Sequence, residues 1–430
     1  MTPLALAIAG AGPAGLAAAI LLHRQGHRVT VFERFAEPQP VGSGLMLQPT
    51  GLSVMAALGL LDEAMARGRV IHRLEGRDAQ TLRTVLDIGY DDGGKGRFGV
   101  AIHRHALFGI LHEAAISAGI AIETDFECAG TELCDRGVSL VSSKGRRSAR
   151  FDCVIDASGA KSRLRAAIPG AAEPRSLPYG AIWTTVPFAG ETRCDALVQR
   201  YRRASVMIGV LPLGETFGDG EDKAALFWSL KPEDYAGLQA AGYPAFCNRL
   251  AALFPEAEPL FRKASGFDAF TLARYGHHTV SSPVGERLAL IGDAAHSASP
   301  QLGQGANMAL LDSAALAAAF RDGADFETAL TSYVARRRFH LRLFQTLSSL
   351  FTPVYQSDSA VLPFLRDRLV PRLAGLWPLT QILGTIVCGT LVDPFEGAGI
   401  PEPDWRDVGV NNPCPHDHRA SEKERISPSA

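Results

Sequence analysis

The chain has 430 residues, 47% of them hydrophobic and 20% charged, with a formal net charge of −2. That length allows two domains and a large core, and the near-neutral balance excludes the basic surface that nucleic-acid binding needs. Seven cysteines lie scattered without a CxxC pair, which argues against a disulfide framework and favours a reducing, cytoplasmic setting.

The opening stretch, Leu4 to Arg34, is almost entirely apolar for its first twenty residues. A secretion signal wants a positive region ahead of that run, and a membrane helix tolerates Gly10, Gly12, Pro13 and Gly15 poorly. Strand, loop and helix fit better. Residues 4–9 read as a buried strand, Gly10-Ala11-Gly12-Pro13-Ala14-Gly15 as GxGxxG, 16–25 as an apolar helix closed by Gly26, and 28–32 as a second strand. Each glycine then has a task. Gly10 permits the turn, Gly12 lets a pyrophosphate reach the backbone, and Gly15 lets the helix pack on the strand. The helix N-terminus supplies N–H groups and positive dipole to phosphates. Glu33 ends the second strand, where an acid accepts hydrogen bonds from ribose hydroxyls.

Further along, residues 42–49 read as a glycine-rich loop, 52–67 as a helix and 87–97 as a flexible loop. A helix at 106–118 follows His103-Arg104, and strands are expected at 138–141 and 151–155. Between about 175 and 275 the helical period fades. Short β-type runs appear at 181–186, 205–210 and 224–230, separated by turn residues, and they suggest an inserted antiparallel sheet. Residues 287–291 then form a strand with Gly292 at its end. Asp293 follows on a loop stiffened by Pro300, and Gly303-Gln304-Gly305-Ala306-Asn307 opens a long alanine-rich helix. A helix N-terminus aimed at a flat ring stabilises negative charge on it, and the glycines let the ring approach the backbone. After 325 the chain is mostly helical. The apolar stretch 376–392 is shorter than the ~20 residues a bilayer span needs. A buried helix is expected there, with a weak membrane-surface contact as the alternative and no transmembrane segment. The segment from 401 onward reads as a loose tail. Its Cys414, His416 and His418 lack a fourth ligand, so no metal is expected.

The pattern GDAAHxxxPxxGQGxNxxxxD from Gly292 to Asp312, together with the first fingerprint, resembles the FAD-dependent aromatic hydroxylases, the single-component flavoprotein monooxygenases of the para-hydroxybenzoate hydroxylase type. The resemblance spans residues 4–345. It implies an α/β (α+β, two-domain) architecture: a Rossmann-like FAD-binding domain at 1–174 and 276–345 and an inserted antiparallel β-sheet substrate domain at 175–275, to which periodicity and composition add a C-terminal helical region at 346–400 and a flexible tail at 401–430. It also implies FAD as cofactor, NAD(P)H as co-substrate, and O2 adding to flavin C4a as a hydroperoxide that hydroxylates a small aromatic molecule. Carried over, the cofactor-binding residues are Gly10, Ala11, Gly12, Pro13, Ala14, Gly15, Glu33, Arg34, Gly44, Arg104, Asp293, Pro300, Gly303, Gly305, Ala306 and Asn307. The catalytic residue and the oligomeric state stay open.

One motif departs from the family. The family carries an Asp-Gly pair followed by serine and arginine; here Gly159, Ser162 and Arg165 are kept but Ser158 stands in the aspartate's place, and Asp156 lies out of register. Candidate substrate contacts in the inserted sheet are Tyr201, Arg203 and Trp228, and His296 is a candidate base whose bland reading is loop scaffold. His103, His277 and His278 read as structural or exposed. The alternative activity is an FAD-dependent reductase of the geranylgeranyl reductase type acting on an apolar isoprenoid. A flavin-dependent halogenase fits less well, because residues 181–187 lack the second tryptophan of WxWxIP.

Overall fold

The computed structural model describes residues 1–37, 42–171, 173–216, 218–374 and 376–409. Two strands without polar alternation, Ala5–Ala9 and Cys153–Asp156, lie at the centre of a six-stranded sheet and are buried on both faces. In order, its strands are Val284–Gly285, Leu288–Leu290, Cys153–Asp156, Ala5–Ala9, Arg28–Phe32 and Ala121–Glu123. Neighbours run parallel throughout except at the Val284–Gly285 edge. Alternation then sorts the side chains. Leu6, Ile8, Cys153 and Ile155 face the helices, while Ala7, Ala9, Val154 and Leu290 face a second, three-stranded sheet through Phe126, Val138 and Phe151.

The helices Pro13–Arg24 and Gly305–Asp322 pack against each other on the first of those faces. Both are alanine-rich along the contact, so their backbones come close, and Ser313 Oγ donates to the Ala14 carbonyl at 2.8 Å. This contact brings the two fingerprint motifs together from opposite ends of the sequence.

The second large element is an eight-stranded sheet. Its order is His296–Ser297, Thr271–Thr279, Arg175–Pro187, Asp222–Leu230, Val206–Glu215, Ala196–Arg202, Arg73–Asp78 and Thr84–Gly89. The expected strands at 181–186, 205–210 and 224–230 are present and longer than the sequence suggested. The sheet is not confined to 175–275, however. Arg73–Asp78 joins it by a parallel pairing with Ala196–Arg202, and Thr84–Gly89 follows as a hairpin. The inserted segment also carries helices, Tyr243–Leu253 among them, which cover the sheet's outer face with Phe246, Leu250 and Phe261.

Other local expectations change as well. Residues 44–47 of the glycine-rich stretch form a strand paired with Gly99–His103. The helix expected over 52–67 divides into Pro49–Ala57 and Leu61–Ala66, because Gly59 takes a left-handed turn at φ +68°. Residues 376–392 contain the helix Leu379–Cys388, which buries Ile386, Val387 and Cys388 and leaves Ile382 exposed. No described helix is long and apolar enough to cross a membrane.

Residues 401–409 are not loose. Trp405 is 2% exposed, sits edge-on to Phe98 at 5.5 Å and donates its indole N–H to Glu402 at 3.0 Å. Glu402 in turn accepts from Lys95 and Arg97, each at 2.7 Å. Proline and polar composition hid one aromatic anchor and one ion-pair cluster. Trp405→Ala is expected to lower unfolding free energy by about 3 kcal/mol in a urea titration; a change under ~0.5 kcal/mol would contradict the packing.

Candidate active site

A cavity of about 2000 Å³ runs between the two sheets. Its first wall is the fingerprint turn. Gly10 sits at φ +102°, and a Cβ there would meet the Ala157 carbonyl oxygen at 2.6 Å, so only glycine makes this turn. A Cβ on Gly15 would collide with the Gly10 carbonyl, so this glycine serves helix packing and does not line the cavity. Gly12 is different: a Cβ there meets nothing within 4 Å. It opens straight into the cavity, ahead of a helix that has no side-chain cap. The first-turn N–H groups of that helix are therefore left for a ligand.

Glu33 lies at the tip of the second strand. Its carboxylate accepts from the Ala11 N–H at 2.9 Å and the Phe35 N–H at 3.1 Å, which fixes it at the cavity wall with lone pairs to spare. Ala11, Pro13, Ala14 and Arg34 line the same end.

The second wall comes from the other motif. Asp293 lines the cavity with an exposed side chain. The crowding of protein around it pushes its carboxyl up, with His296 and Arg104 opposing. Pro300 begins a short turn, Gly303 takes φ +62°, and the helix Gly305–Asp322 starts, again without a side-chain cap. Gly305 has open space where a Cβ would be, and Ala306 lines the cavity beside it. Two uncapped helix N-termini thus converge on one space.

Asn307 does not line that space. It is fully buried, its Oδ1 accepts from the Gln48 N–H at 2.8 Å, and its Nδ2 donates to the Met46 and Gly303 carbonyls. It clamps the Pro300 loop to the strand Gly44–Leu47 and is a positioning residue. Gly44 lines the cavity, but a Cβ there would strike Leu213 at 2.6 Å, so strand packing demands its glycine. Arg104 reaches the cavity past Gly42, where a Cβ would meet the arginine Cδ at 2.7 Å.

Beneath this region Asp312 is fully buried. Its carboxylate accepts from the Gly292 N–H at 2.9 Å, from His296 Nε2 at 2.6 Å and from Arg337 Nε at 2.7 Å. Burial alone would raise its carboxyl; the charges of His296 and Arg337 more than offset this and hold it at about 2. His296 is thereby scaffold for the loop, although its edge reaches the cavity.

At the departing third motif, Asp156 is fully buried and accepts from the Ser158 N–H at 2.9 Å, the Ser158 hydroxyl at 2.6 Å and the Ser162 hydroxyl. Arg165 continues the chain. Its N–H donates to Ser162 Oγ, and its guanidinium donates to the Ala294 carbonyl at 2.8 Å. The carboxylate that closes this turn is therefore at 156, two residues before its usual place, and it braces the turn that carries Asp293.

The cavity continues over one face of the eight-stranded sheet. The pairings Gln199–Gly209–Phe227–Trp183–Thr271 form one row across five strands. The side chains on that pleat are Ala181, Trp183, Leu197, Gln199, Tyr201, Met207, Leu211, Phe227 and Tyr275, all lining the cavity. The roof is the C-terminal part of the helix Phe326–Tyr355, with Phe344 and Phe351, and the helix Leu379–Cys388, with Leu383 and Ile386.

Of the expected substrate contacts, only Tyr201 lies on this floor. Trp228 points the other way, into the outer core against Phe246 at 5.1 Å, and Arg203 occupies a left-handed turn away from the cavity. His103 caps the helix Arg104–Ser117, His278 bonds Ser297 at 2.8 Å, and burial lowers both to about 4. His277 bonds Ser349. Trp183, Phe227, Gln199 and Tyr275 were missed. A period-two reading of their strands would have grouped them, but not told which face they were on. Cys414, His416 and His418 lie outside the described residues.

Gly12→Val places its Cβ where the backbone is extended and nothing stands within 4 Å, with its methyl groups toward the cavity. Its thermal stability without cofactor is expected to stay within ~0.5 kcal/mol of the parent. Its FAD affinity, measured by equilibrium dialysis, is expected to fall at least ~100-fold. Parent-like FAD binding would place the cofactor elsewhere.

The comparisons with known proteins agree with this geometry. The family model described as "FAD binding domain" matches residues 4–345. A kynurenine 3-monooxygenase of Stenotrophomonas maltophilia is 30% identical over 381 residues, covering 80% of this chain and 77% of that one. A putative FAD-dependent monooxygenase of Bacillus subtilis, YetM, is 28% identical over 80% of this chain and 91% of its own. Among solved structures, Klebsiella pneumoniae HpxO complexed with FAD and uric acid superposes with a TM-score of 0.74 at 22% identity, over 90% of this chain and 98% of that one. That likeness shows the fold alone. The named relatives are monooxygenases, and the isoprenoid reductase alternative finds no support. The chain belongs to the FAD-dependent aromatic hydroxylases, the single-component flavoprotein monooxygenases.

Proposed function

We propose that the chain holds one FAD stretched from the Gly10–Gly15 turn to the start of the helix Gly305–Asp322. In our reading it uses NAD(P)H and O2 to hydroxylate a small aromatic molecule lying on the sheet floor. One observation carries this reading: two uncapped helix N-termini and two carboxylates, Glu33 and Asp293, line a single cavity that runs on over an aromatic floor.

Bound FAD supplies electron transfer from NAD(P)H and activation of oxygen. This chain's own residues place the parts. Gly12 and the N–H groups after it receive the pyrophosphate, and Glu33 accepts from the adenosine ribose hydroxyls, with Ala11, Pro13, Ala14 and Arg34 around them. Asp293 accepts from the ribityl chain, and Arg104 approaches from the Gly42 side. Pro300 and Gly303 shape the loop so that the N–H groups at Gly305 and Ala306 meet the pole of the ring where negative charge collects. Gly15 and Asn307 act through packing. The apolar floor and roof exclude water from the reacting region.

Relatives named for kynurenine and 6-hydroxynicotinate, and a fold neighbour bound to uric acid, support a small flat substrate. Cys128, Cys134, Cys153, Cys247 and Cys388 are free thiols, as a reducing cytoplasm would keep them, whereas Cys194 is disulfide-bonded, against the expectation of a chain without disulfides.

Oxygen-electrode assays with NADH or NADPH across phenols, indoles and quinolones test the reading. Uptake stimulated by at least one aromatic, with hydroxylated product, is expected. Flavin that neither nicotinamide reduces, with every aromatic present, would contradict it.

A further inference from the structure

The chemistry of the substrate can be read from the hydrogen-bonding groups left open on the floor, and this step rests on the function proposed above. Trp183 Nε1 can only donate, and at 3.0 Å it donates to the Tyr275 hydroxyl oxygen. The phenolic proton must therefore point elsewhere, and no described protein group accepts it. Tyr275 lines the cavity, and burial pushes its hydroxyl up, so it remains a donor at neutral pH.

Gln199 repeats the arrangement at the other end of the row. It is 6% exposed, and its Oε1 accepts from the Tyr201 hydroxyl at 2.9 Å. Its Nε2 has no protein partner yet is not sealed from the cavity. Between the two, Trp183 and Phe227 lie 4.7 Å apart at 34°. The Phe227 ring lies across Gly209, where a Cβ would collide with it, so the floor is flat there.

This pleat carries no charge. Arg73 and Asp87 at the sheet's outer edge neutralise each other at 2.5 Å. Arg274 lines the cavity from the alternate pleat, and the charge of Arg104, which also lines it, acts on the Tyr275 hydroxyl. An acceptor oxygen laid on this floor would meet a waiting donor at either end.

We propose that the substrate is a flat aromatic molecule bearing a carbonyl-type acceptor. The Tyr275 hydroxyl takes that acceptor, and Gln199 Nε2 offers a second donor at the far end. Tyr275 and Gln199 are specificity-determining residues in this account.

Titration calorimetry on the FAD-loaded protein at pH 7 compares coumarin, which is flat with a lactone carbonyl, with 2H-chromene, which has the same ring frame and no carbonyl. Coumarin is expected to bind about 10-fold tighter. Tyr275→Phe, which keeps the ring, is expected to weaken coumarin about 10-fold and to leave FAD content unchanged. Binding of 2H-chromene as tight as coumarin, or of neither compound, overturns the proposal. So does coumarin affinity that neither Tyr275→Phe nor Gln199→Leu alters. FAD content, read from absorbance before each titration, reports separately on the function proposed above.

Discussion

Asp312 has no surface in contact with solvent, and its carboxylate is held by three groups from two separated pieces of chain. The Gly292 N–H belongs to the turn that carries Asp293, His296 to the loop leading to Pro300, and Arg337 to the helix that roofs the substrate region. The chain of contacts continues from Arg337 to His340 at 3.2 Å, and from His340 to the Gly389 carbonyl at 2.8 Å, at the end of the second roof helix. Removing one member of such a buried set leaves an uncompensated charge and costs about 3–5 kcal/mol. One carboxylate therefore fixes the turn that carries Asp293, the loop and both roof helices relative to the N-terminus of the helix Gly305–Asp322. The remaining features of the site presuppose that arrangement.

What Asp312 anchors is a pair of helix ends. Neither Gly12 nor Gln304 caps its helix with a side chain, so N–H groups at both ends stay open toward the cavity. An uncapped helix end is a small cost for the apo chain and an asset once an anionic or electron-rich ligand fills the space. The Ser313–Ala14 hydrogen bond holds the two helices in contact, and where they start sets the distance between the two open N-termini.

These features were legible in the sequence because they are demands on the backbone. Gly10 is needed for a positive φ, Gly12 for close approach, and Asp293 for a place just past a strand end; each leaves a mark at one position. The sheet floor of the cavity left no such mark. Phe227 and Trp228 are neighbours on one strand, equally aromatic and equally buried, yet one faces the cavity and the other the outer core. Their assignment depends on which side the helices around Tyr243–Leu253 cover, a decision made by tertiary packing. The strands at 73–89 joined the substrate sheet through a parallel pairing more than a hundred residues distant, beyond the reach of local periodicity. Trp405 was hidden by polar company, and the Asp156 carboxylate by its shift of two residues from the family pattern.

The most direct test of the central claim is the FAD dissociation constant of Asp312→Asn, measured by equilibrium dialysis alongside far-ultraviolet circular dichroism. Asp312 lies beneath the cavity wall and is not expected to touch the cofactor, so its replacement acts through the bracing of the turn, loop and helices and through its charge on Asp293. The account predicts a folded protein whose FAD affinity is weakened at least ~10-fold, about 1.4 kcal/mol. A folded variant that binds FAD as tightly as the parent would contradict it.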